Sequence, residues 1–152
     1  RDVAAFMTRG KADGHYLDLY AGNGGFSYAL IQRGVQKIHA VEAHPLCAKP
    51  LKSLGVISYL KTTEKWLQDD EQQQFDAMVA DPPKKGLGEV AADIAKLNIP
   101  RIALVFCSPK AIPKDVSVFL NHGYAICAVV PYDLFGGTIE VETVVYLTRN
   151  CS

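Results

Sequence analysis

The fold of this chain is decided by the stretch Tyr16-Leu-Asp-Leu-Tyr-Ala-Gly-Asn-Gly-Gly-Phe26. Leu17 and Leu19 alternate with polar neighbours, which is typical of a short strand, and the strand runs into a glycine cluster. Beyond the cluster, apolar residues take a helical spacing that stops at Gly34. A strand, a glycine turn and a helix together bring backbone N–H groups close to a bound ligand, because glycine leaves room for the approach.

A carboxylate follows the next predicted strand, which covers residues 38–42 and ends in Glu42. Such an acid can accept hydrogen bonds from both ribose hydroxyls of a nucleotide-like ligand. Two other interpretations stay open, a tight turn without a ligand and a dinucleotide-binding loop. Ser27 stands where the third glycine or alanine of the dinucleotide motif belongs. Asp18 and Glu42 therefore favour an adenosyl ligand that has no pyrophosphate.

Predicted strands and helices alternate along most of the chain. Further strands are predicted over residues 56–61, 75–80, 101–107, 124–130 and 141–148, and further helices over residues 45–54, 63–67, 89–97 and 113–122. Parallel neighbours need a crossover, whereas the last two strands, joined by residues 131–140, can be antiparallel. The pattern predicts an α/β fold, a doubly wound, Rossmann-like sheet of seven strands that is mostly parallel with the last strand antiparallel.

Length and composition describe one ordinary globular domain. The 152 residues are enough for a single core, and 49% apolar with 21% charged residues is a usual balance. The 16 basic and 16 acidic residues cancel, which counts against this domain holding RNA by itself. Because the chain opens with Arg1, we expect a piece of a longer protein. Residues 1–14 are then a lead-in from a missing N-terminal region, and residues 15–152 are the main domain.

The cysteines point to no metal site and no disulfide framework. They show neither paired spacing nor a nearby histidine pair suited to zinc: Cys47, Cys107, Cys127 and Cys151. Cys127 lies inside the apolar stretch 125–130, so we predict that it is part of the core. With no signal peptide or transmembrane run in the sequence, we expect a cytoplasmic monomer that does not bind a membrane.

Chemically suggestive residues fall where the predicted strands end. Ligands bind beyond the carboxyl ends of a parallel sheet, and Glu42, Asp81 and Cys107 follow three such ends. The last strand runs the other way, so its first residue, Glu142, reaches the same edge. If that strand lies beside the fifth, Cys107 and Glu142 face one cleft, where they suit the roles of nucleophile and base. Each residue also has an interpretation without a function. Cys107 can fill the core, Glu142 can be a solvated surface residue, and Asp81-Pro82-Pro83 can simply be a stiff end to the strand.

Five stretches carry a resemblance to a known family. They are Asp-Leu-Tyr-Ala-Gly-Asn-Gly-Gly-Phe (18–26), Val-Glu-Ala (41–43), Asp-Pro-Pro-Lys-Lys-Gly-Leu (81–87), Phe-Cys-Ser-Pro (106–109) and Asp-Leu-Phe-Gly-Gly-Thr-Ile-Glu-Val-Glu-Thr (133–143). In this order they resemble the motifs of the RNA (uracil-5-)-methyltransferase family. The match covers essentially the whole chain. The Cys-x-Pro and Val-Glu-Thr pair is the most particular part of it.

The resemblance implies a class I methyltransferase fold that binds S-adenosylmethionine. It implies cofactor contacts from Tyr20, Gly22, Asn23, Gly24, Gly25, Glu42 and Asp81. It also implies that Cys107 is the nucleophile and Glu142 the proton acceptor. The expected reaction is methylation of uridine at carbon 5, giving 5-methyluridine through a covalent cysteine adduct. The expected substrate is tRNA or rRNA, held with help from a region absent from this chain.

Two other functions stay open. Phe106 and Ser108 flank Cys107 where family members carry serine and asparagine or aspartate, and the net charge is neutral. Both features allow a degenerate, non-catalytic domain that binds the cofactor or a partner protein. A methyltransferase for RNA cytosine is the second alternative. Those enzymes carry Asp-Ala-Pro-Cys where this chain has Asp-Pro-Pro-Lys (81–84), which ranks cytosine below uridine.

Overall fold

The computed structural model describes residues 1–69, 73–133 and 141–149. The strands in these ranges are β1 (His15–Leu19), β2 (Lys37–Glu42), β3 (Ile57–Leu60), β4 (Ala77–Ala80), β5 (Arg101–Phe106), β6 (Ala125–Tyr132) and β7 (Glu142–Thr148). The α-helices are α1 (Asp2–Thr8), α2 (Gly25–Ile31), α3 (Ala48–Ser53), α4 (Thr63–Leu67), α5 (Val90–Lys96) and α6 (Ile112–Asn121). Two short 3₁₀ helices cover Pro45–Cys47 and Pro109–Ala111.

All seven strands join one sheet in the order β3-β2-β1-β4-β5-β7-β6. Only β7 runs against its neighbours: it is antiparallel to both β5 and β6, and the other pairs are parallel. This arrangement confirms the predicted doubly wound sheet with a reversed last strand. It also places β7 directly beside β5. The prediction that Cys107 and Glu142 lie close together depended on this position of β7.

Helices cover both faces of the sheet, and the alternation within β1 shows how the two cores are divided. Leu17 and Leu19 belong to the larger core with residues of α4, α5 and α6. Tyr16 points the other way, into a second core with residues of α1 and α2. Strand side chains alternate between the faces, so Asp18 shares the side of Tyr16 and lies towards α2. Asp18 is therefore placed to contact α2 rather than the larger core.

The lead-in contains a helix that packs on the sheet. Val3 and Met7 of α1 are buried in the second core. The Arg101 guanidinium at the start of β5 donates two hydrogen bonds to the Met7 carbonyl oxygen, at 2.8 and 3.0 Å. These bonds satisfy a carbonyl at the helix end that has no partner within the helix. The division of the chain at residue 14 stays a prediction.

The edge strand β6 departs from the sequence prediction in two respects. It continues to Tyr132, so Pro131 lies within it rather than in the following loop. Proline is tolerated because an edge strand has one side on which no N–H is needed. The prediction that Cys127 is a core residue is wrong, since its side chain is exposed. The pairing with β7 shifts register between Ile126 and Ala128, and most residues of this edge strand face solvent.

Candidate functional site

The residues singled out in the sequence gather at the carboxyl edge of the parallel strands. Tyr20 and the glycine loop follow β1, Glu42 ends β2, Asp81 follows β4 and Cys107 follows β5. Glu142 begins the reversed strand β7, so it reaches the same edge. Residues 134–140 of the fifth motif and Cys151 lie outside the described residues.

Glu42 ties the glycine loop to the end of β2. One carboxylate oxygen accepts a hydrogen bond from the Gly22 N–H at 2.8 Å, and the other accepts one from the His44 N–H at 2.8 Å. The Ala21 N–H donates to the Val41 carbonyl at 3.0 Å, which adds a backbone link at the same place. Gly22 has a φ of 55°, a left-handed conformation that glycine adopts without strain. The carboxylate therefore already shapes the loop beside which a ligand would lie.

Asp18 supports the loop from beneath and faces no open site. It is fully buried, and one of its carboxylate oxygens accepts hydrogen bonds from the Ser27 N–H at 3.0 Å and the Ser27 hydroxyl at 2.6 Å. Its other oxygen is buried with no hydrogen-bond partner among the described residues. Burial raises the pKa of Asp18 to about 7, against the lowering effect of the Ser27 bonds. Ser27 thus replaces the glycine of a dinucleotide loop with a side chain that anchors α2 to β1.

Tyr20 stands in a strained conformation and lines a cavity at this edge of the sheet. Its φ of 57° is left-handed, which for a non-glycine residue costs about 1–3 kcal/mol and tends to occur at ligand sites. Burial raises the pKa of Tyr20, and a hydrogen bond with the Thr63 side chain works against that shift. The cavity has a volume of about 810 Å³. Its lining mixes apolar with polar and charged residues and includes Tyr20, Leu67, Leu87, Val90, Glu64 and Asp93.

Asp81 links the β4 end to β1 and interacts with Glu142. Its N–H donates to the Leu19 carbonyl at 3.3 Å. Burial raises the pKa of the Asp81 carboxyl to about 6, and the nearby Glu142 charge adds to the rise. Two carboxylates that repel each other in this way lie on one edge of the sheet, although they are 61 residues apart in sequence.

Cys107 and Glu142 lie at the same end of one strand pair. The β5–β7 pairing ends with Phe106 opposite Thr143, Cys107 comes directly after Phe106, and Glu142 comes directly before Thr143. The Cys107 thiol is free and exposed, which contradicts the alternative of a buried core cysteine. Glu142 is half-buried and lines a small apolar cavity of about 200 Å³. The other lining residues of that cavity include Phe26, Val105, Tyr132 and Val144.

The sequence relatives are RNA methyltransferases. An uncharacterised RNA methyltransferase of Thermotoga maritima is 35% identical over 140 residues, which are 88% of this chain and 32% of that protein. The 23S rRNA uracil-747 C5-methyltransferase of Pyrococcus furiosus is 34% identical over 149 residues, 97% of this chain and 35% of that protein. The chain resembles one domain of these RNA methyltransferases. It spans about a third of the length of these relatives. No family model matches it.

Solved structures of methyltransferases have the same fold as this chain, the class I methyltransferase fold. The tRNA (uracil-54, C5)-methyltransferase of Pyrococcus abyssi, solved with S-adenosylhomocysteine, gives a TM-score of 0.74 at 22% identity over 97% of this chain and 37% of that one. The precorrin-6Y C5,15-methyltransferase of Geobacter metallireducens gives 0.75 at 18% identity over 98% and 87%. At these identities the likeness concerns the fold, which is the predicted one.

Sequence reasoning missed a buried acid that holds the loop after the Asp-Pro-Pro motif in place. Asp115 of α6 is 2% exposed, and its carboxylate accepts hydrogen bonds from the Leu87 N–H at 2.6 Å and the Gly88 N–H at 3.4 Å. A Cβ added at Gly86 would overlap this carboxylate. The backbone φ of 83° at Gly86 is also one that residues with a side chain rarely adopt. The only sequence signal was a charged residue among apolar ones on an amphipathic helix.

No three histidine, cysteine, aspartate or glutamate side chains in residues 1–69, 73–133 and 141–149 are grouped to hold a metal ion. No helix in those ranges has the length and apolar character needed to cross a membrane.

Proposed function

We propose that the protein containing this chain uses S-adenosylmethionine to methylate carbon 5 of a uridine in RNA, through a covalent adduct with Cys107. The observation that carries the proposal is the convergence of Glu42, Asp81, Cys107 and Glu142 on one sheet edge. Similarity in sequence to a uracil-C5 methyltransferase over 97% of the chain supports it.

The carboxyl edge fits the cofactor by the chemistry of its groups. The Glu42 carboxylate offers acceptors for ribose hydroxyls, and Asp81 offers a second anionic group for a ligand that bears an ammonium and a sulfonium. A Cβ added at Gly22 or Gly25 would meet nothing within 4 Å, so these glycines leave the open side of the loop free. Tyr20, Asn23 and Gly24 complete the proposed set of cofactor contacts. When bound, S-adenosylmethionine supplies an electrophilic methyl group.

The exposed thiol of Cys107 suits the first chemical step. Carbon 5 of uracil is too weak a nucleophile to react until a group adds at carbon 6. In the proposed step the Cys107 sulfur forms a bond to carbon 6, and the electron pair of the 5,6 double bond moves onto carbon 5 and the 4-carbonyl oxygen as an enolate. Cysteine suits this role because it is intrinsically nucleophilic and partly ionised near neutral pH.

Glu142 suits the last step. Once carbon 5 carries the methyl group, its remaining proton must leave before the ring can regain its double bond. Glu142 accepts that proton, the electron pair re-forms the 5,6 double bond, and the bond from carbon 6 to the Cys107 sulfur breaks with the thiolate as leaving group. The register that places both residues at one end of the β5–β7 pair supports this division of roles.

The substrate proposed is a uridine of tRNA or rRNA in the cytosol. To be attacked at carbon 6 and deprotonated at carbon 5, the base must leave its stack. Because this domain is electrically neutral and spans only a third of its relatives, we propose that other parts of the protein help to hold the RNA. A monomer is the proposed state.

Mass spectrometry of RNA from cells with and without the protein tests the proposal. Loss of 5-methyluridine from one RNA class, restored by the wild-type gene and not by a Cys107→Ala variant, is the expected result. Loss of 5-methylcytidine instead would move the assignment to cytosine. If no modified nucleoside changes while the protein is expressed, a non-catalytic domain replaces the proposal.

A further inference from the structure

Four lysines from two separate segments line one surface groove. They are Lys84 and Lys85 after β4, Lys110 in the 3₁₀ helix Pro109–Ala111, and Lys114 in α6. The groove has a volume of about 520 Å³, and Ser108, Ala111 and Asp115 form the rest of its lining. All four lysines are exposed, and none forms an ion pair with another described residue.

The fold holds this charge together. Lys110 and Lys114 are four residues apart, a spacing that puts both on one side of a helix, where like charges repel. Asp115 forms no ion pair with these lysines, and its buried carboxylate accepts hydrogen bonds from the Leu87 and Gly88 N–H groups instead. Those bonds draw the loop that carries Lys84 and Lys85 against α6. The same aspartate therefore brings the lysines together and leaves their charge exposed.

Charge is divided between neighbouring concave surfaces in this neutral chain. The cavity beside Tyr20 is lined by three acids, Glu64, Glu89 and Asp93, and by one lysine, Lys85, whereas the groove is lined by all four lysines and one buried acid, Asp115. A polyanion is repelled by the first surface and attracted by the second. The net charge of zero hides this division.

We propose that the groove lined by Lys84, Lys85, Lys110 and Lys114 binds backbone phosphates of the RNA strand next to the target nucleotide. This inference rests on the proposed function, because Ser108 of the groove directly follows the proposed nucleophile Cys107. A uridine turned out of its stack towards Cys107 leaves its flanking phosphates within one or two nucleotides of that thiol. Exposed, unpaired ammonium groups suit phosphates because binding releases the counterions of the RNA.

Fluorescence anisotropy of the full-length protein with a labelled oligouridylate of about 12 nucleotides tests the groove. The test variant changes Lys84, Lys110 and Lys114 to glutamine together and keeps Lys85, which also lines the cavity beside Tyr20. Each lost phosphate contact lowers the slope of log Kd against log salt concentration by about 0.7 for a single strand, so we expect a decrease of about 2. At about 0.1 M salt this corresponds to binding weaker by roughly 100-fold.

Matched variants separate the groove from general charge effects. Lys11, Lys37 and Lys49 are exposed and lie away from the groove, so their triple change to glutamine removes the same charge and should leave the slope unchanged. The triple change of Lys84, Lys110 and Lys114 to arginine should restore binding. Should the glutamine triple fail to fold, the three single variants still test the groove, each with a slope lower by about 0.7.

An unchanged slope in the groove variants, an equal loss in the matched variants, or no binding of the oligouridylate by the wild-type protein would each refute the proposal. A neutral methylphosphonate oligouridylate should bind the wild-type and the glutamine triple alike, because it offers no phosphate charge. The proposed function fails separately. RNA binding that depends on the lysines, without formation of 5-methyluridine, would refute the methylation and keep the groove.

Discussion

Asp18 shows how one buried residue couples the site to stability. Its carboxylate is held between β1 and α2 by two bonds from Ser27, with no positive charge among its pKa determinants. Burial favours the protonated acid, which raises its pKa from 3.8 in the unfolded chain to about 7. Between these values the folded protein binds more protons than the unfolded chain. The free energy of unfolding therefore falls as the pH rises through that window.

We expect Asp18→Asn to remove this pH dependence, because an amide oxygen can accept both Ser27 bonds without ionising. From pH 5 to pH 8 the free energy of unfolding of the variant should gain about 2–3 kcal/mol relative to the wild-type chain. Urea unfolding followed by fluorescence of Trp66, the only tryptophan, measures it.

Asp93→Asn is the control, since Asp93 is exposed on α5 and should leave the pH dependence of the wild-type chain unchanged. Asp81, with a pKa of about 6, acts in the same direction as Asp18 and should preserve part of the slope in the Asp18 variant. Parallel curves for Asp18→Asn and wild type would show that the Asp18 carboxyl titrates normally.

Cys107 and Glu142 should fail at different steps when they are substituted. In the full-length protein, Cys107→Ala should form no covalent adduct with RNA, because nothing attacks carbon 6. Glu142→Gln should still attack and methylate, and then stall with RNA attached, because elimination requires loss of the carbon 5 proton. A denaturing gel should show a shifted band for Glu142→Gln only, absent from the double variant. Full turnover by Glu142→Gln would mean that another base acts, and full activity of Cys107→Ala would exclude the adduct.

At the scale of elements, the contact between α6 and the loop after β4 positions the Asp-Pro-Pro motif. Asp115 accepts hydrogen bonds from two loop N–H groups, and Gly86 lets the loop pass close to its carboxylate. The loop carries residues of both concave surfaces, the cavity beside Tyr20 and the lysine groove. One helix–loop contact thus shapes both.

We expect Asp115→Ala to lower the free energy of unfolding by about 2–4 kcal/mol, because one buried donor and one partly buried donor lose their acceptor. Asp115→Asn should lose less, since its amide oxygen still accepts. Asp93→Ala, which removes only an exposed ion pair with Lys96, should stay within about 0.5 kcal/mol of wild type. Urea unfolding of the three variants under one condition gives the comparison. Equal losses for Asp115→Ala and Asp93→Ala would contradict the role of the contact.

The elements that sequence could predict are those whose local pattern matches their surroundings. The apolar run of β5 states its burial directly, and β5 is indeed buried on both faces. The alternation around Leu17 predicted the strand but not its burial, because Tyr16 and Asp18 are buried as well as Leu17. The pattern of β6 is as apolar, yet Cys127 is exposed, because local sequence does not tell whether a helix covers a strand. The Asp115 contact and the lysine groove join residues of distant segments, and only the fold brings those segments together.

At the scale of the molecule, the sheet turns dispersed residues into one site. Glu42 and Glu142 are 100 residues apart in sequence, yet both lie at one edge, because β7 is reversed and inserted beside β5. The order of the predicted strands and helices placed these residues at one edge of the sheet, because crossover connections make parallel strands end on the same side. It could not predict which concave surface carries which charge. That depends on side chains from several loops, whose relative placement follows from packing.

Because the proposed cofactor contacts come from β1, β2 and β4 together, binding should stabilise the whole fold. S-adenosylhomocysteine at about 100 times its Kd should raise the free energy of unfolding by about 2.7 kcal/mol and the Tm by about 5–10 °C.

The variant Glu42→Gln tests the role of Glu42 most directly. An alanine would also leave the Gly22 N–H without its acceptor and loosen the loop. With one ribose acceptor weakened by about 1–3 kcal/mol, roughly a third to nine-tenths of the Tm shift should disappear at the same ligand concentration. Asp13→Asn, an exposed acid before β1, should keep the full shift. A wild-type Tm that does not respond would refute cofactor binding, and an undiminished shift in Glu42→Gln would remove Glu42 from the site.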